Sequence, residues 1–211
     1  MDETLKNYLM DSLSQEEEWV RDLEQEAKKD RVPIMDPLGM NFVMQMIRMA
    51  KPKRILEIGS AIGYSALRMS QASPDTSIIT IERDEQRYSQ AVENIQEIGK
   101  QGTIDVILGD AVEELPKMTG NTFDMVLIDA AKGTYKEFFE LSVPLLSTDG
   151  FVLTDNVLFK GFVAGADKQH PRYEKIAGKI REYNDWLIKH PDFTTTIVPI
   201  GDGIAISNKI K

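Results

Sequence analysis

The chain has 211 residues, no cysteine and a formal net charge of −9, with 42% hydrophobic and 28% charged residues. That length matches one ordinary domain on the scale of roughly 100–200 residues each, and the missing cysteines exclude a disulfide framework, a thiolate zinc site and a cysteine nucleophile. The acidic balance argues against a long non-specific nucleic-acid footprint but leaves room for a local basic patch.

Two histidines, His170 and His190, are too few for a His-rich metal site. No apolar run approaches the ~20 residues that span a bilayer. The start, Met1 to Lys6, is charged and lacks the apolar core of a signal peptide. The expectation is a soluble, cytoplasmic protein with no membrane partner. No repeat and no Pro/Gly/Ser linker divides the chain, so residues 1–211 read as one domain: a helical cover over 1–50 and a core over 51–211.

The first fifty residues read as helix. Ser14 followed by Glu17 fits a capping box, after which Trp19, Val20, Leu23 and Ala27 recur at helical spacing. Pro33 and Pro37 interrupt the helical pattern. A third helix is expected from about Leu38 to Ala50, with Met40, Met44, Met46 and Met49 as flexible core packing. From Lys53 onward strand, turn and helix alternate. Strands are expected at 54–58, 77–81, 103–108, 123–128 and 151–154. A helix carrying Tyr88, Ala91, Ile95 and Ile98 lies between the second and third. This alternation predicts βαβ crossovers and a doubly wound α/β fold around a mostly parallel sheet. Residues 194–200 and 204–207, joined by Gly201-Asp202-Gly203, read as an antiparallel C-terminal hairpin.

The strand ends collect acids: Glu57 before Gly59, then Glu82, Gly109-Asp110, Asp129 and Asp155-Asn156. Ligands of open α/β sheets bind at those ends. Gly59 and Gly63 are four apart, so the turn lacks the middle glycine of a dinucleotide fingerprint, which argues against an NAD-linked dehydrogenase. Gly59 suits a sharp turn, and Gly63 close packing of a helix on a strand. Glu82 stands where an acid reaches ribose hydroxyls, so the turn, Glu82 and Asp110 together suggest a nucleoside site. Asp129, Asp155 and Asn156 are hard oxygen donors suited to Mg²⁺ or a similar divalent cation. The Asp155-Asn156 pair equally suits a turn cap, and Lys132 equally suits a solvated loop.

Glu57-Ile58-Gly59-Ser60-Ala61-Ile62-Gly63-Tyr64-Ser65 resembles motif I of the class I S-adenosylmethionine-dependent methyltransferases. Ile128-Asp129-Ala130-Ala131-Lys132 with Thr154-Asp155-Asn156 resembles the metal-dependent catechol and caffeoyl-coenzyme A O-methyltransferases. Together with Pro33-Ile34-Met35-Asp36 and the segment 155–161, these motifs look closest to the bacterial tRNA 5-hydroxyuridine methyltransferases. The resemblance implies a seven-stranded Rossmann-like sheet, S-adenosylmethionine and Mg²⁺ as cofactors, and a homodimer. It implies cofactor contacts from Met35, from Glu57, Gly59, Ser60, Gly63 and Ser65 of the turn, from Glu82 and from Asp110-Ala111. Asp129 would serve cofactor, metal and catalysis; Asp155 and Asn156 would complete the metal site, and Lys132 would be catalytic. Arg83 either contacts adenine or is an exposed charge.

The implied substrate is tRNA at its wobble uridine, giving 5-methoxyuridine. Lys160, Lys168, Arg172, Lys175, Lys179 and Arg181 form a basic cluster for its phosphates. Two alternatives stand beside it: a small catechol-type acceptor, and a non-catalytic nucleotide-binding module.

Overall fold

The computed structural model describes residues 3–165 and 171–210; Lys168 and His170 lie outside them. Eight α-helices and seven strands are present among the described residues. Helices α1 (Glu3–Asp11), α2 (Glu18–Asp30) and α3 (Pro37–Ala50) precede the sheet. Strands β1 (Arg54–Ile58), β2 (Ser77–Glu82), β3 (Ile104–Leu108), β4 (Phe123–Ile128) and β5 (Leu146–Thr154) follow. Between them run α4 (Tyr64–Ala72), α5 (Glu85–Glu97), the short α6 (Ala111–Glu114) and α7 (Tyr135–Ser142). Helix α8 (Pro171–Ile188) leads into β6 (Phe193–Val198) and β7 (Ile204–Lys209).

The sheet order is β3-β2-β1-β4-β5-β7-β6. The first five strands pair in parallel, while β7 runs antiparallel between β5 and β6. This is the expected Rossmann-like seven-stranded architecture with its antiparallel C-terminal pair. Order reverses between β1 and β4, which makes the carboxyl ends of those two strands the switch point. Alternate residues of β1 feed opposite faces: Ile55 joins Val43, Ile47 and Leu67 on one side, and Leu56 and Ile58 join Val126, Phe139 and Ile180 on the other. Burial on both faces explains why these strands read as continuous apolar runs.

Some local expectations are corrected. Ser14 does not cap α2: the helix starts at Glu18, its N-cap Glu17 makes no side-chain cap bond, and Glu17 instead accepts from the indole of Trp19 at 2.9 Å and from Gln71 at 2.7 Å. Helix α3 is capped by Asp36, whose carboxylate accepts from Leu38 N–H at 3.0 Å with Pro37 in the first turn, the position where a missing N–H costs nothing. Met40 and Met44 are core residues, but Met49 is 72% exposed, because it falls off the buried face after Ile47. Strand β5 begins earlier than expected, at Leu146, and its pairing with β4 shifts register between Leu146 and Phe151. No helix among the described residues is long and apolar enough to cross a membrane.

Candidate active site

A cavity of about 300 Å³ opens over the switch point, at the lower end of the usual range for small-molecule sites. The loops after β1, β2, β3 and β4 each contribute to it: Gly59 and Ser60, Glu82 and Arg83, Gly109 to Ala111, and Asp129 to Lys132. Met35 and Ser65 also line it. Glu57, within β1, and Gly63, where the loop enters α4, do not.

Gly59 has φ +103°, and a Cβ there would stand 2.0 Å from the carbonyl oxygen of Asp129. Only glycine lets the loops after β1 and β4 approach this closely. Gly63 has φ +82° and faces Ala91 of α5, so the close packing expected of it is helix on helix rather than helix on strand. Glu82 accepts from Ala61 N–H at 2.8 Å and from Asp84 N–H at 2.9 Å. The amide that could have faced a ligand is thus turned to Glu82, while a carboxylate keeps further lone pairs for ligand hydroxyls. Ser60 lines the cavity with its hydroxyl buried and unpartnered, the kind of orphan that a bound polar group satisfies. Asp110 caps α6 through Val112 N–H at 3.0 Å.

Behind the loop, Glu57 is completely buried. One carboxylate oxygen accepts from Thr80 at 2.6 Å and the other has no hydrogen-bond partner. Burial pushes its carboxyl up to about 7, reinforced by the charges of Asp129 and Glu82 and offset in part by Thr80 and by the Ser65 hydroxyl, which lies nearby without meeting hydrogen-bond geometry.

At the other end Lys132, Asp129, Asp155 and Asn156 come together. Lys132 donates to Asn156 Oδ1, and Asn156 donates to Asp155 at 2.6 Å. Burial raises Asp129 to about 6, against the pull of Lys132, and raises Asp155 well above the carboxylate range, with Asp129 adding to the effect. A buried carboxyl, Asp155, and a half-buried one, Asp129, beside one amide oxygen are a hard-oxygen donor set, which fits a small divalent cation. Asn156 is the third donor; no group of three His, Cys, Asp or Glu suited to a metal occurs among the described residues. Asn156 has φ +61°, a left-handed conformation that Asn tolerates better than most residues.

Sequence reasoning missed several participants. Asp202, in the turn between β6 and β7, raises both Asp129 and Asp155 and accepts from Lys160 N–H. Arg87, in the first turn of α5, also lines the cavity. Arg83 itself is exposed at the rim. Phe159 lies 5.9 Å from the Lys132 ammonium and packs with Phe162 and Tyr173 at ring separations of 5.3 and 5.9 Å, an aromatic wall beside Lys132. Of the basic cluster, Lys160, Arg172, Lys175 and Lys179 are exposed. Arg181 is instead paired with Glu174 and donates to the carbonyls of Phe162 and Val163.

Comparison with known proteins agrees with this geometry. A Staphylococcus aureus structure assigned as a caffeoyl-CoA O-methyltransferase is 38% identical, with a TM-score of 0.90 over 99% of this chain and 100% of that one. A catechol O-methyltransferase of Niastella koreensis is 27% identical over 97% of this chain and 96% of its own length. The O-methyltransferase TomG of Streptomyces achromogenes, solved in complex with SAM, is 25% identical, with a TM-score of 0.83 and both chains covered in full. The family model described as O-methyltransferase matches residues 10–210, and with the switch-point cavity and its acids in place, the chain belongs to the O-methyltransferase family.

Proposed function

We propose that the protein transfers a methyl group from S-adenosylmethionine to one oxygen of a small acceptor bearing two vicinal oxygens, as in a catechol. The observation that carries this reading is a single cavity with a ribose-type acid, Glu82, at one end and Lys132 with Asn156 at the other. A nucleoside seated against Glu82 and Asp110 directs its sulfonium toward Asp129 and Lys132. The TomG complex with SAM and the names of the catechol and caffeoyl-CoA relatives support the donor and the acceptor class.

Asp129, Asp155 and Asn156 would hold the divalent cation, Mg²⁺ in this reading. When bound, it supplies Lewis acidity that lowers the pKa of an acceptor hydroxyl. Glu82 accepts from the ribose hydroxyls and fixes the donor. Phe159 forms one apolar wall for the acceptor ring. The acceptor hydroxyl passes its proton to the Lys132 amine, and the ammonium so formed stabilises the acceptor oxygen's negative charge. That oxygen displaces the sulfonium, the methyl passes to oxygen, and S-adenosylhomocysteine leaves. Holding both partners in line contributes much of the acceleration.

A second reading is methylation of 5-hydroxyuridine at the tRNA wobble position, whose 5-hydroxyl and 4-carbonyl are also vicinal oxygens. The exposed Lys160, Arg172, Lys175 and Lys179 on an otherwise acidic chain favour it. Radiolabelled S-adenosylmethionine, Mg²⁺ and either catechol or tRNA carrying 5-hydroxyuridine separate the two readings. Label in catechol, abolished by chelator and by Asp155→Ala, is the expected result. Label in tRNA alone would replace the first reading by the second, and label in neither would reject both.

A further inference from the structure

A second cavity, of about 420 Å³, adjoins the first and shares Ala130, Ala131 and Lys132 with it. It therefore opens from the reacting end of the site. Three lysines, Lys132, Lys175 and Lys179, line it together with Gly133 and Ile176, and no acidic residue does. A Cβ at position 133 would lie 3.2 Å from the Lys179 Nζ, so the absent side chain leaves room for that ammonium over the loop that carries Lys132.

Neither Lys175 nor Lys179 has an ion-pair partner among the described residues, whereas nearby Lys136 and Arg181 pair with Glu140 and Glu174. Lys175 and Lys179 stand one turn apart on α8, a like-charge arrangement that weakens a helix. In a chain of net charge −9, two unneutralised cations facing a third across a cavity await a negative charge from outside.

We propose that this second cavity seats an anionic group, carboxylate or phosphate, carried by the acceptor itself, with Lys175 and Lys179 as its specificity-determining residues. The inference rests on the vicinal-oxygen reading above and narrows it to acidic acceptors. The two oxygens engage the Lys132 end, while the anion on the far side of the ring fixes which of them faces the donor.

The test compares catechol, 3,4-dihydroxybenzoate and 3,4-dihydroxybenzylphosphonate as acceptors for the wild type, for Lys175→Met/Lys179→Met and for Lys179→Arg. The wild type should favour one or both acids over catechol by on the order of tenfold in kcat/KM, as one charge-assisted hydrogen bond at a half-open site supplies. The preference should lie in KM and narrow as salt is raised. The double variant should lose it and the arginine variant keep it, and the acid that shows it identifies carboxylate or phosphate. Catechol turnover with no preference for either acid, or a preference that survives the double variant, would overturn the anion site alone. No turnover of any of the three would overturn the vicinal-oxygen reading and this inference with it.

Discussion

Glu57 lies on β1 with one oxygen satisfied by Thr80 and the other by nothing. Its carboxyl is raised from the ordinary value near 4.5 to about 7, so the folded state holds the proton more tightly than the unfolded chain. Stability from this group is complete below about 4.5 and is lost as pH rises through 7. Glu57→Gln keeps the shape without the charge. It should leave stability unchanged near pH 4.5 and raise it by up to about 3 kcal/mol at pH 8, measured by urea denaturation at both pH values. Equal effects at the two would show that the carboxyl is not strained by burial. The acid was visible in the sequence as a strand-end residue, but its burial behind the loop was not. Burial depends on Thr80 of β2 facing it in register, a pairing that nothing local encodes.

Helix α4 is tied to α2 and to the segment just before α2 by two contacts that bypass the sheet. Tyr64 donates to Glu24 at 2.7 Å, and Arg68, nearly buried, holds Glu16 through two hydrogen bonds. Tyr64 and Ser65, in the first turn of α4, line the cavity, so this clasp sets one wall of the site. Arg68→Ala should cost about 2–3 kcal/mol in chemical denaturation, toward the low side for a broken buried pair because Glu16 keeps some solvent. It should also raise the KM for S-adenosylmethionine, while Glu16→Gln does less of both. Unchanged stability and KM would dismiss the clasp. The apolar stripe Val20, Leu23 and Ala27 was readable because it repeats within one helix. The Arg68–Glu16 pair was not, since it joins positions far apart in sequence, and the apparent cap at Ser14 failed because Glu17 is occupied by Trp19 and Gln71.

Across the molecule, folding concentrates negative charge at one point: Asp129 and Asp155 are both raised by burial, and Asp202 from the C-terminal turn adds to each. The metal-free protein should lose stability as pH rises through about 6, where Asp129 ionises. A divalent cation should reverse that loss, and only where the carboxyls are ionised. Saturating Mg²⁺ at about 100 times its dissociation constant should raise Tm by roughly 5–10 °C at pH 8. The rise should fade below pH 6 and vanish in Asn156→Ala. Thermal denaturation with and without Mg²⁺ checks this, and a shift that ignores pH or survives the variant counts against the donor set. The parallel strands and their terminal acids were legible because each is a short apolar run ending in a charge. The approach of Asp202 was hidden, because it follows from the C-terminal turn folding back over the loop after β5.

That turn has a consequence for the order in which the enzyme is assembled. Val157 and Leu158 donate to the carbonyls of Gly203 and Asp202 at 3.0 and 2.9 Å, and β7, though last in sequence, sits inside the sheet between β5 and β6. On a ribosome the five parallel strands emerge first and can pair among themselves. The loop holding Asn156 gains its backbone anchors only when the final segment arrives and slides between two neighbours. Closing so long a loop is among the slower steps of folding. Catalytic competence should therefore be the last property the nascent chain acquires, withheld from partly made copies that already carry the loops after β1, β2 and β3.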